Sequence, residues 1–342
     1  MIVRSKAPFR LGLAGGGTDV SPYSDEFGGA ILNATVNLYA HTTLIPRTDG
    51  KIIIRATDLA KEIRLDATSE LEISGELDLQ KGVYNRIVKT FSMEPLSFEL
   101  TTRMDVPSGS GLGTSSTLVV SILGAFIEWL QLDLSEYEIS RLAFSIERED
   151  LNMAGGKQDQ YAAVFGGINF LEFGANNQVQ VHPLSISKAL VNELEVNLLL
   201  FYTKTSRESS KIIEIQSQNV QNKQAKPIQA MHLLKEQAFA MKQALVDGDL
   251  KAIGQILNTS WHHKKMMADG ISNSIIDTIY NTAIQAGAVG GKISGAGGGG
   301  FMIFYVNDPD RSAVVDQLNT FNGDVKHFEF CFAGLTTWTI HE

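Results

Sequence analysis

Hydrophobic and polar positions alternate roughly over residues 35–47, and the run is rich in β-branched and aromatic types. That pattern predicts a strand. The turn signal Thr48-Asp49-Gly50 follows, and residues 51–56 read as its hairpin partner. Residues 96–104, 167–173, 196–202 and 301–306 are further strand candidates. Residues 115–131 form a long apolar run without proline, which predicts a buried helix. Residues 135–150 open with Ser135 and Glu138 at capping-box spacing and continue helically. Helical periodicity returns over 227–246, 249–267 and 272–287. The first half is therefore strand-rich with two helices, and the second is helix-rich with a few strands. Runs of strands followed by runs of helices predict an α+β fold rather than regular βαβ winding. The turn at Gly174-Ala175-Asn176-Asn177-Gln178 suggests two domains, 1–180 and 181–342.

Composition supports an ordinary folded protein. Hydrophobic residues make up 44% and charged residues 20%, so no disordered class is indicated. The net charge of −9 offers no basic face for nucleic acid, and no nucleic-acid partner is expected. Cys331 stands alone, which excludes an intrachain disulfide, and its apolar surroundings suggest a buried small residue. No signal-peptide pattern opens the chain, and the longest apolar stretch, 118–130, is too short to span a bilayer. A cytoplasmic protein without membrane attachment is the expectation.

Three glycine clusters carry the candidate chemistry. They are residues 12–19 (Gly-Leu-Ala-Gly-Gly-Gly-Thr-Asp), 107–116 (Pro-Ser-Gly-Ser-Gly-Leu-Gly-Thr-Ser-Ser) and 294–300 (Ser-Gly-Ala-Gly-Gly-Gly-Gly). The central cluster runs directly into the predicted helix. Glycines let backbone N–H groups approach a ligand, and a helix start adds donors and the positive end of its dipole. Together these make a phosphate site, with Ser115 and Ser116 able to bind a metal or donate to phosphate. The same residues could instead be a serine-capped helix after a tight turn. The P-loop pattern is absent, because no glycine there leads to a Gly-Lys pair. Gly295, Gly297 and Gly300 have the spacing of a dinucleotide fingerprint, but a strand pattern follows instead of a helix. That third cluster reads as a turn between strands, packed close to another backbone or to a ligand. His262-His263-Lys264-Lys265 reads as a solvated helix face rather than a metal site, since adjacent histidines on a helix point in different directions. No Gly-x-Ser-x-Gly elbow is present for nucleophilic serine chemistry.

In order and spacing, the three clusters resemble the motifs of the GHMP kinase superfamily, in residues 7–19, 107–116 and 292–300. Thr114 stands where that family often has serine. Within the family, Arg10–Ser24 and Gly155–Gly167 look like the D-glycero-D-manno-heptose 7-phosphate kinases, which phosphorylate the anomeric C1 hydroxyl. L-fucokinases share a Gly-Gly-x-Thr-Asp segment and are the rival reading. A non-enzymatic sugar sensor on the same fold is a remote third.

The resemblance implies a ribosomal-protein-S5-like N-terminal domain and a ferredoxin-like C-terminal domain, with ATP between them. It implies that Asp159 is the catalytic base and that Arg10 holds Asp159 ionised and stabilises phosphoryl charge. ATP is then expected on Pro107, Gly109, Ser110, Gly111, Leu112, Gly113, Thr114, Ser115 and Ser116. Mg²⁺ is expected on Ser115 and Glu147, with Glu149 as the alternate. Gly16, Gly17, Thr18 and Asp19 are expected to contact the sugar, with Gly297 and Gly298 walling the pocket. A sugar that already carries a phosphate needs cations of its own, and Lys157, Lys204 and Arg207 are the candidates. The partners expected are thus a sugar phosphate and ATP, with the oligomeric state, a homodimer included, left open.

Overall fold

The computed structural model describes residues 1–205 and 209–341. Its strands are β1 (Ile2–Ala14), β2 (Gly29–Pro46), β3 (Lys51–Ala56), β4 (Lys61–Asp66), β5 (Phe98–Met104), β6 (Ile168–Phe173), β7 (Val179–Pro183), β8 (Leu198–Tyr202), β9 (Ala288–Ile293), β10 (Phe301–Val306), β11 (Asp324–Lys326) and β12 (Thr336–Ile340). Its α-helices are α1 (Tyr23–Phe27), α2 (Asp78–Ile87), α3 (Thr114–Leu130), α4 (Glu136–Ser145), α5 (Gln158–Phe165), α6 (Lys188–Asn197), α7 (Ser209–Gln221), α8 (Ala225–Asp247), α9 (Leu250–Lys264), α10 (Ser274–Gln285) and α11 (Arg311–Leu318).

The strands form two sheets. The larger runs β12-β1-β2-β5-β3-β4, with β6 joined to β2 and β7 to β6. The long strand β2 serves two partners: Gly29–Ala34 pair with β6, and Ala40–Pro46 pair with β5. Helix α3 lies on β1 and β2, flanked by α2, α4 and α5. Its residues 116–126 are buried all round, which explains why no polar stripe marks it in the sequence. Beneath it, Phe98 and Phe126 meet edge to face with ring centroids 5.2 Å apart. The smaller sheet runs β11-β8-β10-β9, and all its pairings are antiparallel. A second core forms on it, where Trp261, Ile276 and Ile279 join Phe201 and Phe304. Helix α8 crosses back to pack on β1 and β2, so the two cores are joined.

The mixed, two-sheet architecture agrees with the α+β expectation. Ser135 and Glu138 form the predicted capping box, worth about 1 kcal/mol to such a helix. Other details differ. Residues 51–56 are not the hairpin partner of 35–47, because β5 lies between them and β3 pairs with β5 in parallel. Phe98, Leu100 and Thr102 are all buried, which suits β5 to a central position. The helix at 135–150 ends at Ser145, and the chain continues as a wider π-turn over Ile146–Asp150. The strand expected from residue 196 begins at Leu198, since α6 with its Ser187 cap occupies the lead-in. The second half of the chain is also not self-contained. Strand β7 belongs to the larger sheet, and β12 returns to pair with β1 from Ile2↔Ile340 to Lys6↔Thr336. That return satisfies the backbone groups along the outer edge of β1.

The third glycine cluster is a turn between β9 and β10, packed on the central cluster as expected. A Cβ on Gly111 would lie 2.6 Å from the Ser294 carbonyl oxygen, and one on Gly295 would lie 2.8 Å from the Gly111 Cα. Phe301 N–H donates to the Ser110 carbonyl at 2.9 Å. At Gly300, φ is +88° and a side chain would run into the Ser110 carbonyl, whereas Gly50, with φ +69°, faces open space. Both Gly→Ala changes carry the left-handed backbone cost of about 1–2 kcal/mol. Gly300→Ala is expected to lower the melting temperature clearly more than Gly50→Ala, as read by thermal denaturation of the two variants side by side.

Candidate active site

Arg10 sits where three segments converge. It is on β1, its own N–H donates to the Leu112 carbonyl, and its side chain is buried. Nε donates to Asp159 Oδ1 at 2.7 Å, while Nη1 donates to the Gly111 carbonyl at 2.8 Å and to Ser294 Oγ at 3.2 Å. One guanidinium therefore ties both glycine loops to a carboxylate. Asp159 lies in the first turn of α5 rather than in a loop. A Cβ on Gly113 would come within 2.9 Å of the Asp159 Cγ, so glycine there allows the carboxylate to lie against the loop.

These residues border a cleft of about 580 Å³. Gly109, Gly111, Gly113, Thr114, Ser115 and Ser116 line it, as does Ser108, which the sequence did not single out. Pro107, Ser110 and Leu112 do not line it and instead shape the loop. Ser110 N–H closes a turn onto the Pro107 carbonyl at 3.3 Å, and Leu112 is wholly buried. The opposite wall comes from α7 through Ser209, Ser210, Ile213 and Glu214. An apolar extension of about 380 Å³ shares Leu79, Met104, Ser108, Leu118 and Met153 with the cleft.

Glu147 is fully buried on the π-turn. Gln160 Nε2 donates both to its Oε2 and to Ser116 Oγ. The other carboxylate oxygen, Oε1, has no hydrogen-bond partner and faces the Arg148 guanidinium at 3.8 Å. A buried carboxylate oxygen without a hydrogen bond suits a hard cation such as Mg²⁺, which would there compete with Arg148 for it. Among the described residues no group of three or more His, Cys, Asp or Glu could hold a metal. A metal here would take most of its ligands from phosphate and water, as Mg²⁺ commonly does. Glu149, the alternate, is exposed.

A smaller chamber of about 70 Å³ adjoins the cleft and shares Arg10, Gly156, Asp159, Ile213, Gly295 and Ala296 with it. Gly17, Asp19, Val20, Gln158, Gln216 and Lys264 complete its lining. Asp19 accepts the N–H groups of Lys157 at 2.9 Å and Gln158 at 3.1 Å, so it caps the start of α5. That cap fixes the orientation of Asp159 one residue further on.

Some expected site residues are placed elsewhere. Thr18 is buried, and its hydroxyl donates to the Gly15 and Ala30 carbonyls and accepts from Ala30 N–H, so it braces the first loop. Gly297 and Gly298 face the Ile271 backbone rather than the cleft; Gly298 N–H donates to the Ile271 carbonyl at 2.8 Å. Lys157 is buried, and its ammonium reaches Asp25 at 2.9 Å and Ser24 at 3.1 Å, on α1. Lys204 pairs with Asp324 on β11 at 2.9 Å, because β11 lies beside β8 and supplies a carboxylate there. Arg207 lies outside the described residues. Lys264 departs furthest from its expectation, being 3% exposed rather than on a solvated face.

A model of the GHMP kinases N terminal domain matches residues 78–167, and a model of the GHMP kinases C terminal region matches residues 241–324. The D-glycero-alpha-D-manno-heptose 7-phosphate kinase of Campylobacter jejuni is 47% identical over 338 residues, 99% of each chain. The chain belongs to the GHMP kinases. It is a phosphotransferase, and its family uses ATP as phosphoryl donor. The crystal structure of a D-glycero-D-manno-heptose 1-phosphate kinase from Bacteroides thetaiotaomicron superposes with a TM-score of 0.86 at 47% identity, covering 99% of this chain and 100% of that one. An L-fucokinase/L-fucose-1-P guanylyltransferase of Bacteroides fragilis is 28% identical over 94% of this chain but only 36% of its own length. The galactokinase of Lactococcus lactis, solved with galactose, shares the fold with a TM-score of 0.78 at 19% identity.

In this GHMP kinase, helical periodicity marks Lys264 as inward-facing, a signal that the reading of residues 262–265 as a solvated face did not use. The buried positions of α9 are Ile253, Gly254, Leu257, Ser260, Trp261 and Lys264, so the lysine falls on the apolar stripe. Gln158 and Gln160 flank Asp159 on the same short helix, yet nothing in their residue type marks them. Lys157→Ala is expected to lower the melting temperature while leaving the KM for the acceptor within about threefold, since its ammonium braces α1 and not the cleft. Thermal denaturation and steady-state kinetics on the same preparation check this.

Proposed function

We propose that this kinase transfers the γ-phosphoryl group of ATP to the anomeric C1 hydroxyl of D-glycero-D-manno-heptose 7-phosphate, giving the 1,7-bisphosphate and ADP. The observation that carries the reading is the 47% identity to the Campylobacter jejuni enzyme along the whole chain, together with the Arg10–Asp159 pair in the cleft. Such a reaction would serve synthesis of a nucleotide-activated heptose.

In this reading the triphosphate lies along Gly109–Ser116 at the start of α3, and the nucleoside extends toward the apolar pocket by Leu79 and Met104. Asp159 accepts the proton of the sugar hydroxyl as its oxygen bonds to the γ-phosphorus. The bond to the bridging oxygen of ADP breaks in the same displacement. Arg10 keeps Asp159 oriented and offers positive charge to the transferring group. Bound Mg²⁺ would neutralise phosphate charge, held by the Ser115 hydroxyl and Glu147. Asp19 and Gly17 border the small chamber, the space for the sugar, whereas Gly16 lines neither it nor the cleft.

The two heptose kinases at 47% identity bear names that differ in where the acceptor's phosphate stands, on the 7- or the 1-position. A heptose 1-phosphate acceptor is therefore the second reading. ADP release with Mg-ATP is to be measured against heptose 7-phosphate, heptose 1-phosphate, unphosphorylated heptose, L-fucose and galactose. Phosphorus NMR of the product then assigns the new ester. The expected result is preference for the 7-phosphate with a new anomeric phosphate; turnover of L-fucose alone overturns it.

Two variants test the residue roles. Asp159→Asn is expected to lower kcat by about 10²–10⁴-fold, the usual worth of a positioned general base, with little change in the KM for ATP. Undiminished kcat would remove Asp159 from that role. Glu147→Gln is expected to raise the Mg²⁺ concentration needed for half-maximal rate by about tenfold or more, read from a Mg²⁺ titration at saturating ATP.

A further inference from the structure

A buried ammonium group without a carboxylate partner is costly, and it calls for a task. Lys264 closes helix α9 with its side chain turned inward, 3% exposed. Its Nζ donates to the Gly295 carbonyl at 2.7 Å, which uses one of three N–H groups. Among the described residues no ion pair forms on it. The carboxylates nearby are already engaged: Asp159 by Arg10, and Asp19 by the N–H groups of Lys157 and Gln158. A second buried lysine, Lys292, donates to the Gly12 carbonyl at 2.7 Å. The region behind the first and third glycine loops therefore holds more buried cations than carboxylates to match them.

Lys264 faces a cavity. It borders the small chamber with Gly17, Asp19 and Gln216, and that chamber opens toward Arg10 and Asp159. A Cβ on Gly16 would point at the ammonium from 3.6 Å. A Cβ on Gly17, where φ is +103°, would lie 2.6 Å from Met267 Cε and 3.2 Å from Gln216 Nε2. At Gly17 a side chain would therefore collide with Met267, and at Gly16 it would press on the ammonium, so glycine at both positions lets the first loop close up against Lys264. Gly109, Thr114 and Ser115 of the central loop line the cleft but not this chamber. An acceptor whose reacting hydroxyl lies at Asp159 can direct its far end here without meeting the nucleotide.

We propose that Lys264, framed by Gly16, Gly17 and Gln216, binds the phosphate that the acceptor sugar already carries. This rests on the reading of the acceptor as a sugar phosphate, and it supplies the cation that Lys157 and Lys204 do not. Electrostatics agree. Burial pushes the Lys264 ammonium down to about 8, Arg10 pushes the same way, and Asp19 opposes them. Burial, with Lys264 and Arg10 beside it, holds Lys292 well below the ordinary lysine range. An arriving dianion restores the charge that burial removes.

The test compares wild type, Lys264→Met and Lys264→Arg, with heptose 7-phosphate and unphosphorylated heptose as acceptors. Lys264→Met is expected to raise the KM for the sugar phosphate by about 30–100-fold, the worth of a charge-assisted hydrogen-bonded contact. Its loss in kcat/KM on the unphosphorylated sugar is at least tenfold smaller, and the KM for ATP moves less than about threefold. Lys264→Arg restores most of the sugar-phosphate KM. In wild type, kcat/KM for the sugar phosphate falls above about pH 8 as Lys264 loses its proton amid Arg10, Lys292, Asp19 and Asp159, and in Lys264→Arg that fall disappears. Equal losses on both acceptors, or no loss, overturn the assignment and leave Lys264 as a brace for Gly295. Wild type that prefers the unphosphorylated sugar overturns the acceptor reading itself, and this assignment with it.

Discussion

Two glycine loops from opposite halves of the chain meet backbone to backbone, and the site depends on that contact. Gly111 lies against Ser294 and Gly295, and Gly300 lies against Ser110, at separations that leave no room for a Cβ. The contact joins the larger sheet's helix α3 to the β9–β10 turn of the smaller sheet. Arg10 then threads between the loops, using the Gly111 carbonyl and the Ser294 hydroxyl as two of its acceptors. Its third acceptor is Asp159, so the loop contact sets the position of that carboxylate in the cleft. A guanidinium held at three points pays little further entropy when substrate arrives, which is the sense in which such a site is preorganised.

Much of this was legible in the sequence. Glycine clusters that must approach one another announce themselves by composition, and the helix after Gly113 follows from an unbroken apolar run. Asp159 and Arg10, 149 positions apart, are brought together as the family resemblance implied. What escaped was set by contacts between distant segments. Thr18 looks like a sugar ligand until the Ala30 backbone is placed beside it. Lys157 looks like a phosphate ligand until Asp25 is seen to claim it. Residues 51–56 look like a hairpin partner because local turn chemistry cannot reveal that β5 will enter between them and β2.

Lys264 illustrates a different reason. Charge type and helical periodicity give opposite answers for it. A lysine adjacent to two histidines and another lysine belongs by composition to a wet face. Its spacing from Leu257 and Trp261 places it on the dry one. When the two signals conflict, the exception marks chemistry more often than packing, because packing alone would have favoured an apolar residue there.

The pairing of β12 with β1 bears on how the molecule is made. The strand that opens the larger sheet and the strand that covers its outer edge are separated by more than three hundred residues of intervening chain. During translation β1 can pair with β2 early, but its other edge waits until residues 336–340 have emerged. The central glycine loop, α3 and Asp159 would all be synthesised and ready to pack while that edge still lacks its partner. Closure of the sheet is thus a late, long-range event, and such contacts slow folding. The growing chain carries an open sheet edge until its last strand arrives, a stage at which nascent-chain chaperones would have a natural point of attachment.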